Sequence, residues 1–177
     1  MKRVLSIIIG LILVGCLTGC QSTKVETPVV EAPVEERVHP ESIQVYINLN
    51  TPDVKVIEIP LNGKYEYDYD YTRGGGVAWV GDTAAGWGSF GNASKIVIEY
   101  FPFKDDEVLK ISAYMNHPLD HMFKWYDEHR YNLCNGVQTC DNEKMNFYFF
   151  LRPFEDMYHY QLKDEYKVEL YESLNLN

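Results

Sequence analysis

Three residues, His117, Asp120 and His121, have the types and spacing that metal or acid–base chemistry requires. Two histidines four positions apart can share a helix face, and a carboxylate beside them could complete a zinc site. A catalytic zinc usually needs a third protein ligand and a general base, yet the nearby Glu128 is seven residues beyond His121. Pro118 also places His117 at or before the start of the predicted helix. A metal-dependent hydrolase is therefore kept only as an alternative: no catalytic residue, metal site or cofactor is assigned.

Aromatic side chains are the second candidate chemistry. Alternate tyrosines from 65 to 71 would line one face of a strand, and sugars can stack their C–H groups on such rings. The glycine-rich stretch 72–94 holds two of the three tryptophans, in surroundings that can leave a ring exposed. Both sets could instead serve the packing of the sheets. The candidate ligand-binding residues are Tyr65, Tyr67, Tyr69, Tyr71, Trp79 and Trp87.

Two cysteines, Cys134 and Cys140, lie beyond the first twenty residues. In an exported chain an even pair predicts a disulfide, here closing the short loop 135–139. The spacing is not that of a Cys-x-x-Cys redox motif, and two cysteines are too few for a structural zinc site.

The charge of the chain restricts its partners. The formal net charge is -10, and residues 43–177 carry twelve Lys and Arg against twenty-one Asp and Glu. Nucleic acids and anionic lipid head groups bind through cationic side chains, so this acidic domain is not expected to bind either. A neutral glycan or a cationic protein remains compatible with this charge.

The pattern of apolar residues predicts a mainly β domain. Strands are expected at 43–49, 54–59, 64–71, 77–80, 95–101, 107–115, 144–152, 158–162 and 166–172, with a loop at 84–94 and one helix at 119–129. Asn62-Gly63 predicts a hairpin between the second and third strands. Sequential strands with short turns favour an antiparallel β-sandwich with one short helix. The alternative is an α+β fold with one helix on an antiparallel sheet.

The composition changes near residue 43. Residues 21–42 contain three prolines, five glutamates and no aromatic residue, whereas all 25 aromatic residues lie in 43–177. Such a segment cannot bury enough apolar surface to order itself. We therefore expect a disordered tether over 20–42, reaching up to about 60 Å, and a globular domain over 43–177.

The first twenty residues have the layout of a secretory signal peptide. Two basic residues precede the apolar run 4–14, and the segment ends in Leu17-Thr18-Gly19-Cys20. This ending resembles the lipobox of bacterial lipoproteins. The resemblance implies removal of residues 1–19, acylation of Cys20 and anchoring in the cell envelope. Gln21, where lipoproteins of the inner membrane typically carry Asp, favours the outer membrane in a cell with two membranes.

These observations predict a non-enzymatic envelope lipoprotein whose β domain binds a ligand or partner, with carbohydrate as one ligand class. An acidic protein-interaction or envelope-assembly module is the alternative within binding proteins. A metal-dependent hydrolase using His117, Asp120 and His121 is the alternative from another class.

Overall fold

A computed structural model of the chain describes residues 38–47, 54–70, 75–88, 90–153 and 161–175. These residues form ten strands and two helices. In chain order they are β1 (Ser42–Ile47), β2 (Lys55–Pro60), β3 (Lys64–Asp68), β4 (Gly76–Val80), β5 (Thr83–Trp87), β6 (Ala93–Phe103), β7 (Asp106–Met115), α1 (Phe123–Glu128), β8 (Gly136–Cys140), β9 (Lys144–Phe150), β10 (Arg152–Pro153) and α2 (Asp164–Ser173).

The strands form two five-stranded sheets in which every pairing is antiparallel. Sheet A has the order β10-β5-β4-β1-β2, and sheet B has the order β3-β6-β7-β9-β8. The predicted antiparallel β-sandwich is thus confirmed, rather than the α+β alternative, although the described residues contain two helices instead of one.

The core lies between the two sheets because side chains alternate across each strand. In β1, Ile43, Val45 and Ile47 point inward, while the intervening Gln44 and Tyr46 point outward. The inward-facing residues of sheet B are contributed mainly by its two longest strands. They include Ile96, Ile98 and Tyr100 of β6, and Leu109, Ile111 and Ala113 of β7.

Sheet B also packs on its outer face. Leu170 of α2 and the preceding Leu162 are buried against Val108, Val137 and Phe150. A smaller cluster of Leu119, Tyr126 and Met145 holds α1 at the inner face of sheet B, where Phe90, Met115 and Phe147 join it to the inter-sheet core. The two helices therefore belong to the sheet B side of the sandwich.

The predicted hairpin at Asn62-Gly63 is wrong, because β2 pairs with β1 in sheet A and β3 pairs with β6 in sheet B. The tight turn itself forms: Asn62 has a φ of 60°, and the Gly63 N–H donates to the Pro60 carbonyl at 2.8 Å. The Asn62 N–H donates to the carbonyl of Tyr100 in sheet B, at 2.9 Å. The chain thus passes from one sheet to the other at this turn.

The predicted strand at 166–172 is a helix, α2. Lys167, Leu170 and Tyr171 are its buried residues, and their spacing of three and four positions matches one helix face. Asp164 and Glu165 in the first turn suit the positive end of the helix dipole. The other predicted strand of this region, 158–162, lies mostly outside the described residues.

Two further boundaries differ from the prediction. The first four residues of the predicted loop 84–94 belong to strand β5, which pairs with β4 along its whole length. The ordered domain also begins before residue 43: His39 Nδ1 lies 3.1 Å from Glu107 Oε1, and the Pro40 carbonyl accepts a hydrogen bond from the Tyr100 hydroxyl at 3.0 Å. The last residues of the predicted tether therefore pack on the sandwich.

Residues Arg37–Asn177 form one compact unit. The predicted signal peptide 1–19, the lipidation site Cys20 and the tether as far as residue 37 lie outside the described residues. Within the part of the chain that is described, neither helix has the length and hydropathy needed to cross a membrane.

Candidate functional site

The tyrosine row packs along the edge of sheet B. The ring centroids of Tyr65 and Tyr67 are 6.1 Å apart, and those of Tyr67 and Tyr69 are 6.4 Å apart. Tyr65 and Tyr67 are half-buried against the inter-sheet core, and Tyr69 is only 7% exposed, with its hydroxyl accepting the Phe90 N–H at 2.9 Å. Tyr71 lies outside the described residues. These contacts are those of sheet packing rather than of an open platform.

Trp87 belongs to the core as well. Its cross-strand partner is Gly76, and a Cβ atom at Gly76 would lie 2.3 Å from Cζ2 of the indole. The ring thus occupies the space that glycine leaves and packs against the inter-sheet core. The buried Nε1 of Trp87 has no hydrogen-bond partner among the described residues.

The side chains of His117, Asp120 and His121 are all exposed. His117 borders an open surface cavity of about 600 Å³ together with Lys95 and Tyr114. Within the described ranges no group of three His, Cys, Asp or Glu side chains is placed to hold a metal ion. Among the described residues, therefore, no set of metal ligands supports the hydrolase hypothesis.

The predicted Cys134–Cys140 disulfide is absent, and both residues are free thiols. Four of the five intervening residues, 136–139, lie in strand β8 rather than in a closed loop. Gly136 and Cys140, the ends of this extended strand, are about 13 Å apart. Cys134 lies only two residues before the strand, so the strand keeps the two cysteines apart, whereas disulfide-bonded Cα atoms lie about 4 to 7 Å apart. Burial, together with the nearby Asp141 carboxylate, raises the pKa of the Cys140 thiol to about 11.

Trp79 lies on the outer face of sheet A. Its neighbours in β4, Ala78 and Val80, point into the core, so the half-buried Trp79 side chain points outward. Gln44 is the cross-strand partner of Trp79 on one side and of Glu58 on the other. An indole, an amide and a carboxylate therefore stand side by side across three strands. Adjacent strands are about 4.8 Å apart, so this row is about 10 Å long.

A groove of about 620 Å³ runs past this row, and we call it the Trp79 groove. The turn between β4 and β5 forms one wall, where Gly81 takes a φ of 57° that favours glycine. Gln44 is held by its own strand, because the Tyr46 hydroxyl donates to Gln44 Oε1 at 3.0 Å. The groove is lined by Pro40, Ser42, Gln44, Glu58, Trp79, Val80, Gly81, Asp82, Thr83 and Glu107.

A second cavity, of about 680 Å³, lies along β8 between the two helices, and we call it the β8 cavity. Its residues were not predicted as a site because they come from four separate segments of the chain. One signal was available in the sequence: Gln138 and Asn146 are polar residues among apolar neighbours in strands. The lining residues are Phe123, Lys124, Tyr126, Asp127, Arg130, Gln138, Thr139, Cys140, Asp141, Asn146, Tyr171 and Asn175.

Hydrogen bonds fix the polar side chains of the β8 cavity. Gln138 Nε2 donates to the His129 carbonyl at 2.9 Å. Asn146 Oδ1 accepts from the Ser112 hydroxyl at 2.8 Å, and Asn146 Nδ2 donates to Thr139 Oγ1 at 3.2 Å. Because their amide groups are held by these bonds, Gln138 and Asn146 are presented in defined orientations.

The aromatic and basic groups of the β8 cavity are held as well. The guanidinium of Arg130 lies 4.7 Å from the ring centroid of Tyr171 and pairs with Asp127. The Tyr126 hydroxyl donates to the Met145 sulfur at 2.8 Å. Burial raises the pKa of Tyr126, so its phenol stays neutral at physiological pH.

Comparisons of this chain with protein-family models, with curated proteins and with solved structures find no match. Function therefore has to be inferred from the two concave sites. The Trp79 groove places one indole, and the β8 cavity places several aromatic rings, beside hydrogen-bonding groups, a combination found in small-molecule binding sites.

Proposed function

We propose that this chain is a bacterial envelope lipoprotein whose β-sandwich binds carbohydrate in the Trp79 groove without converting it chemically. The observation that carries this proposal is the row of Glu58, Gln44 and Trp79 across β2, β1 and β4. A rigid sheet holds the three groups in fixed positions, which lowers the entropic cost of binding.

Each member of the row matches one feature of a sugar. The C–H groups of a pyranose ring carry partial positive charge and stack on the negative face of the Trp79 indole. Gln44 Oε1 already accepts from Tyr46, so the exposed Gln44 amide still offers its N–H groups to a sugar hydroxyl. The exposed Glu58 carboxylate accepts hydrogen bonds from hydroxyl groups.

The envelope location rests on the N-terminal sequence. The lipobox-like ending at Cys20 supports a lipid anchor, and the segment that follows supports presentation of the domain away from the membrane surface. Replacement Cys20→Ser should move the protein from the membrane fraction to the soluble fraction and remove the mass of the acyl chains. Retention of Cys20→Ser in the membrane fraction would contradict a lipid anchor at this residue.

A glycan array probed with the full chain, followed by calorimetry on the best ligand, tests carbohydrate binding. Trp79→Ala should weaken that binding at least about thirtyfold, the typical loss when an aromatic anchor is truncated. Trp125→Ala is the matched control, because Trp125 is 46% exposed on α1 and does not line the groove. Equal binding by the wild type and Trp79→Ala would exclude the groove as the sugar site.

Capture of a cationic partner is the second candidate function. The Trp79 groove contains the exposed carboxylates of Glu58 and Asp82, and the domain carries a net negative charge. Binding of a cationic protein would weaken steeply between 50 mM and 500 mM salt, because screening shortens the range of charge attraction. Binding of a neutral glycan would change little over the same range, so one salt titration separates the two functions.

A further inference from the structure

The outer edge of β3 pairs with no strand of the described residues. β3 ends sheet B, and its only partner in that sheet is β6. Although β2 precedes β3 in the chain, β2 pairs within sheet A. Unpaired backbone groups along a strand edge can pair with a strand of another chain. The edge of β3 is therefore a candidate interaction surface.

Hydrogen bonds at the two ends of β3 show which backbone groups face this edge. The Tyr69 N–H donates to the Ser94 carbonyl at 2.8 Å, and the Tyr100 N–H donates to the Gly63 carbonyl at 3.2 Å. Backbone groups alternate in direction along an antiparallel strand, so those of residues 65 and 67 also face β6. The N–H and C=O groups of residues 64 and 66 consequently point away from the sheet. They have no hydrogen-bond partner among the described residues.

Two opposite charges lie along the same edge. Lys64 and Glu66 are exposed on the outer face of sheet B, two positions apart. Neither forms an ion pair with a described residue, and Glu99, the β6 residue opposite Lys64, pairs with Lys110 at 2.6 Å. Tyr65, which lies between them and faces inward, is half-buried, so part of its ring is open to another molecule.

This edge is complementary to a second copy of itself. In an antiparallel pairing centred on Tyr65, Lys64 of each copy lies opposite Glu66 of the other. Each of these two pairs exchanges two backbone hydrogen bonds and joins opposite charges. At the centre, the two Tyr65 side chains meet in a non-hydrogen-bonded pair, in which side chains are closest. Aromatic pairs of this kind stabilise strand pairing.

The same charges disfavour the neighbouring registers. Centring the pairing on Glu66 would place that carboxylate opposite its own copy, and centring it on Tyr67 would place Glu66 opposite Asp68. Like charges directly opposite each other are destabilising. Charged side chains on an edge strand usually prevent pairing, whereas the order of charges in β3 permits the register centred on Tyr65.

We propose that the edge of β3 is a self-association surface, through which two copies of this chain pair antiparallel about Tyr65. The pairing joins the two copies of sheet B into one continuous sheet. One short strand from each copy buries less than the roughly 1,200 Å² of a stable interface, so the dimer exchanges with the monomer. This surface is separate from the Trp79 groove, and the proposal does not depend on the function proposed for that groove.

Disulfide trapping detects such a weak dimer. The parent is the full chain with serine in place of its four cysteines. In this parent, Tyr65→Cys should form a covalent homodimer under mild oxidation, because the two Cα atoms would lie about 4.5 Å apart, within disulfide range. Asp68→Cys is the matched control, because it lies three residues from the centre and its two copies would be about 20 Å apart. Tyr65→Cys should crosslink at least about tenfold faster, although Asp68 is the more exposed residue.

A charge swap tests the register. In the Tyr65→Cys chain, Lys64→Glu places two carboxylates opposite each other in both pairs and should slow crosslinking at least about tenfold. Adding Glu66→Lys restores opposite charges with their positions exchanged, so the double variant should recover the original rate. Both residues are exposed, so neither change should disturb the fold.

The wild-type chain supplies a measurement that does not depend on the folding of Tyr65→Cys. On dilution from about 1 mM to about 50 µM, the backbone amide signals of Lys64 and Glu66 in NMR spectra should shift as the dimer dissociates, as a dissociation constant of about 0.1–1 mM requires. The backbone amide signal of Gln44, in the middle of sheet A, is the internal control and should stay in place.

Each of four results would overturn the proposal. Equal crosslinking of Tyr65→Cys and Asp68→Cys would show that β3 does not pair about Tyr65. An unchanged rate in Lys64→Glu, or no recovery on adding Glu66→Lys, would show that these charges do not set the register. Wild-type amide signals that stay in place on dilution would show that the edge does not pair with itself. A disulfide between Tyr65→Cys and a different protein in cells would assign the edge to another partner.

Discussion

On the outer face of sheet A, Val56 is 53% exposed and Gln44 and Glu58 are open to solvent. On the outer face of sheet B, Val108 and Phe150 are completely buried beneath α2 and its flanking residues. The outer face of sheet A can present side chains to a ligand at little cost to the stability of the fold. The outer face of sheet B is part of the fold, because α2 and its flanking residues cover it.

This difference is visible in the strands themselves. In β7 the side chains on both faces are buried over Val108 to Ala113, apart from the half-buried Lys110, because each face meets a packed layer. In β2 only Ile57 and Ile59 face the core, and the intervening residues are exposed. Substitutions on the outer face should therefore affect stability strongly in sheet B and weakly in sheet A.

The largest effect is expected from Leu170→Ala. Leu170 is fully buried between α2 and sheet B, so its truncation should lower the free energy of unfolding by about 2–5 kcal/mol. Val56→Ala on the outer face of sheet A should change it by no more than about 0.5 kcal/mol. Urea unfolding of both variants measures the contrast, and equal losses would remove the distinction between the two faces.

An intermediate effect is expected at alkaline pH. The Tyr166 hydroxyl of α2 donates to Asp106 Oδ2 at 2.9 Å, and burial together with this hydrogen bond raises the pKa of Tyr166. Burial, with a smaller effect of the Glu99 charge, raises the pKa of Tyr148 to about 12. Because folding favours the neutral phenols, their contribution to stability is complete below about pH 10 and is lost as the pH rises further.

Urea unfolding at a series of pH values from 8 to 11.5 measures this loss. Tyr166→Phe cannot ionise, so the stability of this variant should fall less steeply above pH 10 than that of the wild type. An unchanged slope in Tyr166→Phe would show that ionisation at the contact between α2 and sheet B does not limit alkaline stability.

The smallest effect is expected at the ion pair between Lys104 and Glu169, which joins the β6–β7 turn to α2. Both side chains are about half exposed, so solvent screens their attraction. A double-mutant cycle of Lys104→Ala and Glu169→Ala should give a coupling energy below about 1 kcal/mol. A coupling energy above about 2 kcal/mol would mean that this surface contact, rather than Leu170, holds α2 on the sheet.

Alternation of apolar residues was enough to predict the sandwich and the strands β1, β7 and β9. It was not enough for α2, because Tyr166, Val168 and Leu170 alternate as in a strand. Lys167, Leu170 and Tyr171 in the same segment recur as in a helix, and contact with Val108 and Phe150 selects the second pattern. Local sequence contains both patterns, so tertiary packing decides between them.

Local sequence was also insufficient to predict which candidate residues form a site. Trp79 was predicted as a ligand-binding residue and lines a groove, whereas Trp87 and the described tyrosines of the row pack against the core. Spacing alone cannot distinguish these roles, since the inward or outward direction of a side chain depends on register. The β8 cavity could not be foreseen because α1, β8, β9 and α2 meet there only after folding.

The position of β1 also determines how the domain bears mechanical load. β1 is the first described strand, and it lies inside sheet A with β4 on one side and β2 on the other. Tension arriving along the chain from residues before Ser42 therefore acts on a strand that is hydrogen-bonded along both edges. A force along β1 acts at right angles to its hydrogen bonds with β2 and β4. Extracting β1 therefore requires both sets of hydrogen bonds to break together, which makes the domain resistant to a pull from the N-terminal side.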